Sequence, residues 1–275
     1  MNLIPEIRPG QSVELLKELH ILTRDGKLNQ DSRRKLKQVY HLFNFIEPLL
    51  KTLAADETRD FSLVDHGAGK SYLGFIIYDL FIKNLQRGTV YGIETREELV
   101  SKSTDLARRL RFERMKFLNL SVEDSISSTD LPGKVDIVTA LHACDTATDD
   151  AIKFALKKNS QFLVLVPCCQ AEVASYLRKD KGKNLSKNVL TEIWRHPIHT
   201  REFGSQITNV LRCLELEAHG YQVTVTELTG WEHSMKNELI IAQYKDLPRR
   251  YPLERLNALL RELNLEEMKF RFAEE

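Results

Sequence analysis

Little in this chain marks an extracellular or membrane protein. Four cysteines in 275 residues, two of them adjacent at Cys168 and Cys169, do not make the framework of a secreted disulfide scaffold. No apolar run approaches the length of a bilayer span, and Tyr72 to Ile82 is about half of one. The N-terminus, MNLIPEIRPGQ, lacks the basic-then-apolar pattern of a signal peptide. These absences point to a reducing cytoplasm and away from a membrane. Charge of one sign is scarce as well: Lys and Arg total 40 against 39 Asp and Glu, a formal net charge of +1. There is no internal repeat and no low-complexity tract. What remains is 42% hydrophobic and 29% charged, ordinary for a soluble α/β domain with additions.

The organising stretch is FSLVDHGAGKSYLGFIIYDL, from Phe61 to Leu80. A short apolar run ends in Asp65, a tight turn follows at Gly67-Ala68-Gly69, and an apolar run long enough for a helix begins at Tyr72. Strand, glycine turn and helix make the first unit of a nucleotide-type α/β fold. The glycines let the backbone turn sharply and let a ligand lie against it. The helix N-terminus then offers free N–H groups and a positive dipole end. A Walker loop would need glycine where Val64 stands, although Gly69-Lys70-Ser71 matches its second half. A dinucleotide fingerprint would need glycine where Tyr72 stands. The S-adenosylmethionine pattern asks for an acid at the strand end, Gly-x-Gly, and a second acid closing the next strand. Asp65, Gly67, Gly69 and Glu94 supply it.

In chain order, residues 1–60 read as two helices, one capped by Ser12 and one opened by Asp31-Ser32. They form either a helical cap beside the cleft or a dimerisation arm. The next strand, Thr89 to Ile93, ends in Glu94, whose carboxylate can accept from vicinal ribose hydroxyls. A charged helix runs from Arg96 to Leu110. The third strand, Met115 to Leu120, leads to Glu123 and Asp124. Either can accept from an exocyclic amine, and Asp124 can equally cap a helix. Val135 to Leu141 and Gln161 to Val166 are almost continuously apolar, as strands covered on both faces are. Their tails, HACD from His142 and PCCQ from Pro167, belong at the carboxyl edge of the sheet, facing one another over the cleft. Residues 171–204 read as an elaborated, basic connection. A helix from Ser205 to His219 and two closing strands, Tyr221 to Leu228 and Leu239 to Ala242, follow, the strands as an antiparallel edge pair. Residues 246–275 add a terminal helix.

The set VDHGAGKSYLG, IE at Glu94, LHACDTATDD, PCCQ and KNELIIA resembles class I S-adenosylmethionine-dependent methyltransferases. More narrowly, it is similar to the methyltransferase-like group that includes the tRNA acceptor-stem 2′-O-methyltransferase. The resemblance covers roughly residues 61–244. It implies a Rossmann-like, mostly parallel sheet with an antiparallel edge and S-adenosylmethionine as cofactor. It implies that Asp65, Gly67, Gly69 and Glu94 hold that cofactor, with Lys70, Glu123, Asp124, Leu141 and His142 beside them, and that His142 to Asp149 line the methyl-transfer cleft. Asp145 stands where the group usually has glycine, and Gln170 where the tRNA enzyme has histidine.

Methyl transfer from a sulfonium needs alignment first, and a base only where the acceptor must lose a proton. His142, Asp145 and Asp149 are the candidates for that base. Cys168, Cys169 and Gln170 are candidate walls of the acceptor site. His142, Cys144, Cys168 and Cys169 lack the usual zinc spacings, so no metal is expected. A covalent Cys168 would lie on the fifth strand, whereas cytosine C5 chemistry uses the fourth. Three runs are basic: Arg24 to Lys37, Lys102 to Lys116, and Arg178 to Arg201 with Lys181, Lys183 and Lys187. They suit an RNA acceptor, and they also suit solvated helix faces. Trp194 and Phe203 can stack bases or pack the connection down. The expected activity is methylation of RNA, tRNA or rRNA. The alternatives are a small-molecule or protein methyltransferase and a non-catalytic cofactor-binding module.

Overall fold

A computed structural model of the chain describes residues 6–141, 145–168, 170–179, 189–228 and 238–273, with side chains omitted at 189–191. Seven strands among these residues form one sheet: β1 (Ser62–His66), β2 (Thr89–Glu94), β3 (Met115–Asn119), β4 (Ile137–Leu141), β5 (Phe162–Val166), β6 (Tyr221–Glu227) and β7 (Glu238–Tyr244). Their order is β3-β2-β1-β4-β5-β7-β6. The first five are parallel, and β7 runs antiparallel to both β5 and β6. The chain reverses its direction of travel across the sheet between β1 and β4, the place where open α/β sheets leave a crevice.

Alternation along β1 sorts the two faces. Leu63 belongs to a core with α1 (Val13–Glu18), α2 (Gln30–Ala54), α3 (Tyr72–Ile77) and α5 (Glu97–Arg109). Val64 belongs to a core with α6 (Val122–Ser127) and α7 (Ala147–Lys157). Residues before β1 therefore share one hydrophobic core with the sheet. α3 continues through a π-helical stretch, Tyr78–Ile82, into α4 (Lys83–Leu85). Among the described residues no helix is long and apolar enough to cross a membrane.

Several boundaries differ from the sequence reading. α2 opens at Gln30 because Asn29 caps it, its Oδ1 accepting from Ser32 N–H at 2.8 Å. The described residues of 171–204 are more regular than an inserted connection. They hold α8 (Glu172–Lys179), a 3-10 turn (Val189–Trp194), and the beginning of α9 (Pro197–Ala218), which starts two turns before Ser205 with proline in its first turn. The C-terminal part is not one helix. α10 (Arg250–Glu262) is followed by a 3-10 turn (Glu266–Met268) and α11 (Lys269–Phe272), packed with α8 and α9 in a third core. Trp194 is buried in that core and stacked on Phe203, with ring centroids 5.0 Å apart. It serves packing and offers no face to a base.

Candidate active site

The loop after β1 rests on left-handed backbone torsions. Gly67 and Gly69 have φ of +65° and +58°, a region where glycine escapes the Cβ penalty. A Cβ on Gly67 would meet nothing within 4 Å, so this part of the loop looks into open space. Ala68 N–H donates to the Ile93 carbonyl at 2.9 Å and ties the loop to β2. Ser71 precedes α3 but does not cap it; its hydroxyl donates to Asp65 Oδ2 at 3.2 Å. Asp65 Oδ1 accepts from Thr139 Oγ1 on β4 at 3.0 Å, and the carboxylate also accepts from Gly74 N–H in the first turn of α3. The preceding strand thus supplies the cap of this helix. The approach requires glycine at 74, where a Cβ would lie 2.6 Å from Ser71 Oγ. Burial pushes the Asp65 carboxyl up to about 7, against the lowering by Thr139, Ser71 and Gly74. Asp65, expected to hold a cofactor, lies beneath the loop and shapes it.

Glu94 closes β2 with its carboxylate turned toward the loop. Oε2 accepts from Gly69 N–H at 2.8 Å, and Oε1 from Arg96 N–H at 3.0 Å. The Arg96 guanidinium adds a fork, Nε to Oε1 at 3.0 Å and Nη2 to Oε2 at 3.1 Å. Desolvation raises the Glu94 carboxyl. The Arg96 side chain and amide and the Gly69 amide outweigh it, holding the group down to about 2. Glu94 is buried, whereas the Arg96 side chain is 66% exposed. The crevice edge therefore carries an ionised carboxylate covered by a solvent-exposed fork. Asn119, ending β3, donates Nδ2 to the Glu94 carbonyl at 3.0 Å and holds the two strand ends together.

Of the two strand tails, His142, Cys144 and Cys169 lie outside the described residues, as do Lys181, Lys183 and Lys187. Asp145 Oδ1 accepts from Ala171 N–H at 2.9 Å and Glu172 N–H at 3.2 Å, so the tail of β4 caps α8, which follows the tail of β5. Asp149 is gripped by Arg212, Nε to Oδ1 at 2.7 Å and Nη2 to Oδ2 at 2.8 Å. Arg212 is 0% exposed and also donates Nη2 to the Asp145 carbonyl at 2.8 Å and Nη1 to Asn209 Oδ1 at 3.1 Å. Gln170 Nε2 donates to the same Asn209 Oδ1 at 3.2 Å, and Ser205 Oγ to Gln170 Oε1 at 2.6 Å. Asn209 Nδ2 reaches Glu238 on β7 at 2.8 Å. The two tails do meet, through a buried polar network rooted in α9. Asp145 and Asp149, expected as bases, and Gln170, expected as a wall, all lie in this network. These groups are engaged in capping, ion pairing and amide bonding, and a general base needs a lone pair facing its substrate.

The remaining candidates are scattered. Asp124 is exposed in a capping pair with Ser121, whose Oγ accepts from Asp124 N–H at 3.1 Å and donates to its Oδ2 at 2.7 Å. Glu123 is exposed and Cys168 half-buried. Among the described residues, no group of three His, Cys, Asp or Glu could hold a metal ion. Two cavities flank the start of α3. One, about 400 Å³, lies between Leu19 and His20 after α1, Lys35, Gln38, Val39 and Leu42 on α2, Tyr72, Leu73 and Ile76 on α3, and Leu141 ending β4. The other, about 490 Å³, is bordered by Lys70, Lys102, Arg108 and Arg109 against Glu18 and Asp105, and shares Leu19. Sequence reasoning passed over Arg96, Ser71, Thr139, Asn209 and Arg212. A signal existed for Arg212: Thr208, Leu211, Arg212 and Glu215 recur at the spacing of one buried helix face, where charged residues are rare unless paired.

A family model described as a methyltransferase domain matches residues 34–176, just over half of the chain. A "Glutathione S-transferase C-terminal domain-containing protein" of Bos taurus is 24% identical over 235 residues, covering 79% of this chain and 34% of that protein. A homolog of the same description from Drosophila pseudoobscura pseudoobscura is 22% identical over 203 residues, 66% of this chain and 33% of its own. The chain spans about a third of the length of these curated relatives. Among solved structures, a magnesium protoporphyrin IX methyltransferase from Synechocystis with bound SAH aligns over 84% of this chain and 93% of its own, at 14% identity and a TM-score of 0.45.

Proposed function

Because the chain belongs to the methyltransferase domain family, with S-adenosylmethionine as cofactor, we propose that it methylates RNA. The residues at the crevice suit that cofactor. Glu94 is an ionised carboxylate at the end of β2, the place from which acids in such sheets accept ribose hydroxyls. Gly67 leaves open space where a side chain would stand. Glu94, Gly67 and Gly69 are the residues we assign to holding it. When bound, the cofactor supplies a methyl group on a sulfonium, already activated for displacement. The chain's contribution is then alignment and exclusion of water. Asp65 and Ser71 fix the loop from below, and the Arg212 network fixes the β4 and β5 tails that border the acceptor side.

The observation that carries the RNA reading is the charge of the cavity beside the loop. Lys70, Lys102, Arg108 and Arg109 border it; Arg108 and Arg109 pair with Asp105 and Glu18 there and Lys102 with neighbouring Glu98, leaving an excess of one cation. Arg109 is joined to Glu18 at 2.9 Å, so the middle of the second basic run lies beside α1, which leads into the first. Clustered Lys and Arg bind a phosphate backbone without reading its sequence. Calorimetry with S-adenosylhomocysteine, followed by labelled-methyl transfer to fractionated RNA and protein at rising salt, tests the proposal. Label in RNA, with an apparent affinity that falls steeply with salt, is the expected result. Label in protein or small molecules alone refutes it, as does cofactor binding without transfer to any fraction.

A further inference from the structure

An apolar cavity lies between α2 and α3. Its walls are Leu19, Val39, Leu42, Leu73 and Ile76, with the Tyr72 ring on one side. That ring is fixed by its hydroxyl, which donates to the Leu19 carbonyl. The volume, about 400 Å³, falls in the range of small-ligand pockets, about 300–1,000 Å³. Two features locate it functionally. Leu141, the last residue of β4, lies in its wall, as do Tyr72 and Leu73, the first residues after the glycine loop. It therefore opens at the sheet edge where the fold places its chemistry. It also adjoins the cationic cavity, with Leu19 common to both.

An apolar, aromatic-walled hole beside a cationic cleft matches the two halves of a nucleotide, a flat ring on an anionic backbone. Enzymes acting on a base extrude it into such a pocket and hold it between aromatic and apolar side chains. We propose that this cavity receives a flipped-out base and that the methyl acceptor is a base nitrogen rather than a ribose hydroxyl. This rests on the RNA reading above and narrows it. Walls of this kind suit the flat face of a base, whereas a ribose hydroxyl would call for polar partners. In the transfer, the lone pair of the base nitrogen forms the new N–C bond as the C–S bond breaks. The electron pair of that bond leaves with the thioether sulfur, and the nitrogen's proton, where it bears one, passes to water. Lys35 stands at the cavity, paired with Asp31 at 3.1 Å and half-buried; its ammonium is the group nearest in kind to a phosphate partner for the nucleotide.

Val39→Trp tests this by filling the cavity from half-buried Val39. Wild type and variant are incubated with labelled S-adenosylmethionine and fractionated RNA, and the product is digested to nucleosides. Label on the base is expected, with transfer by Val39→Trp lower by at least about tenfold, because the acceptor is displaced from its reacting position. S-adenosylhomocysteine affinity should stay within about twofold, since Glu94 and Val39 share no partner. If thermal melting shows that Val39→Trp does not fold, Val39→Phe is read in the same way. Label on ribose, or undiminished transfer by a folded variant, overturns the inference while leaving the RNA reading standing. Wild-type protein that labels no RNA fraction overturns both.

Discussion

Replacing Arg212 by methionine should be among the most damaging single changes in the chain. The guanidinium is fully buried and makes four hydrogen bonds, two to Asp149, one to the Asp145 carbonyl and one to Asn209. Methionine fills similar volume, so the loss is electrostatic more than steric. Asp149 is left as a buried carboxylate without its cation, a situation that costs about 3–5 kcal/mol. Asp149→Leu strands the cation and should cost a similar amount. The double variant removes both charges. Its deficit is then mainly the unmet Asp145 carbonyl and the loss of one of the two donors to Asn209 Oδ1, about 1 kcal/mol each. Single losses near 4 kcal/mol and a double loss near 2 kcal/mol therefore define a strongly coupled cycle. Urea unfolding of the four proteins at neutral pH measures it. Hydrogen exchange adds a local readout. The Ala171 and Glu172 amides donate to Asp145, and they should exchange faster once the Asp145 backbone loses its anchor. A loss below about 1 kcal/mol for Arg212→Met, or additive single losses, would refute the account of the network as a buried ion pair holding the two tails.

Three further outcomes are expected. Arg96→Ala frees the Glu94 carboxylate from a fork that a vicinal diol would have to displace. S-adenosylhomocysteine should bind about 2- to 5-fold tighter, a small gain because exposed ion pairs are individually weak; calorimetry showing clearly weaker binding would mean that Arg96 holds the ligand. Asp65→Asn bears on pH. The folded carboxyl titrates at about 7, above its ordinary 3.8, so wild-type stability declines as pH rises through that window, and asparagine does not titrate. The variant's stability relative to wild type should improve by about 2 kcal/mol between about pH 5 and pH 7, and a difference independent of pH in chemical unfolding curves would contradict the buried placement of Asp65. Gly74→Ala, ordinarily favourable in a helix, should here destabilise by about 1–3 kcal/mol because the new Cβ meets Ser71 Oγ. Ser71→Ala in the same chain should recover part of that loss in thermal melts.

Local pattern alone placed the strands, the glycine turn and the acids at the ends of the first two strands. The nearly continuous apolar runs at Val135 to Leu141 and Gln161 to Val166 have the length of strands covered on both faces, and a GxG turn after Asp65 allows few continuations. These signals need no partner from elsewhere in the chain. What the side chains at the crevice do was decided by residues far away in sequence. Asp65 looks like a ligand-facing acid until Thr139 and Gly74 close over it. Asp149 looks like a base until Arg212 arrives from α9, more than 60 positions on, and Asp145 until the Ala171 and Glu172 amides close on its carboxylate. The apolar cavity exists only because α2, α3 and the end of β4 meet there. A carboxylate's chemistry depends on which donors and how much water surround it, and in this fold packing supplies both.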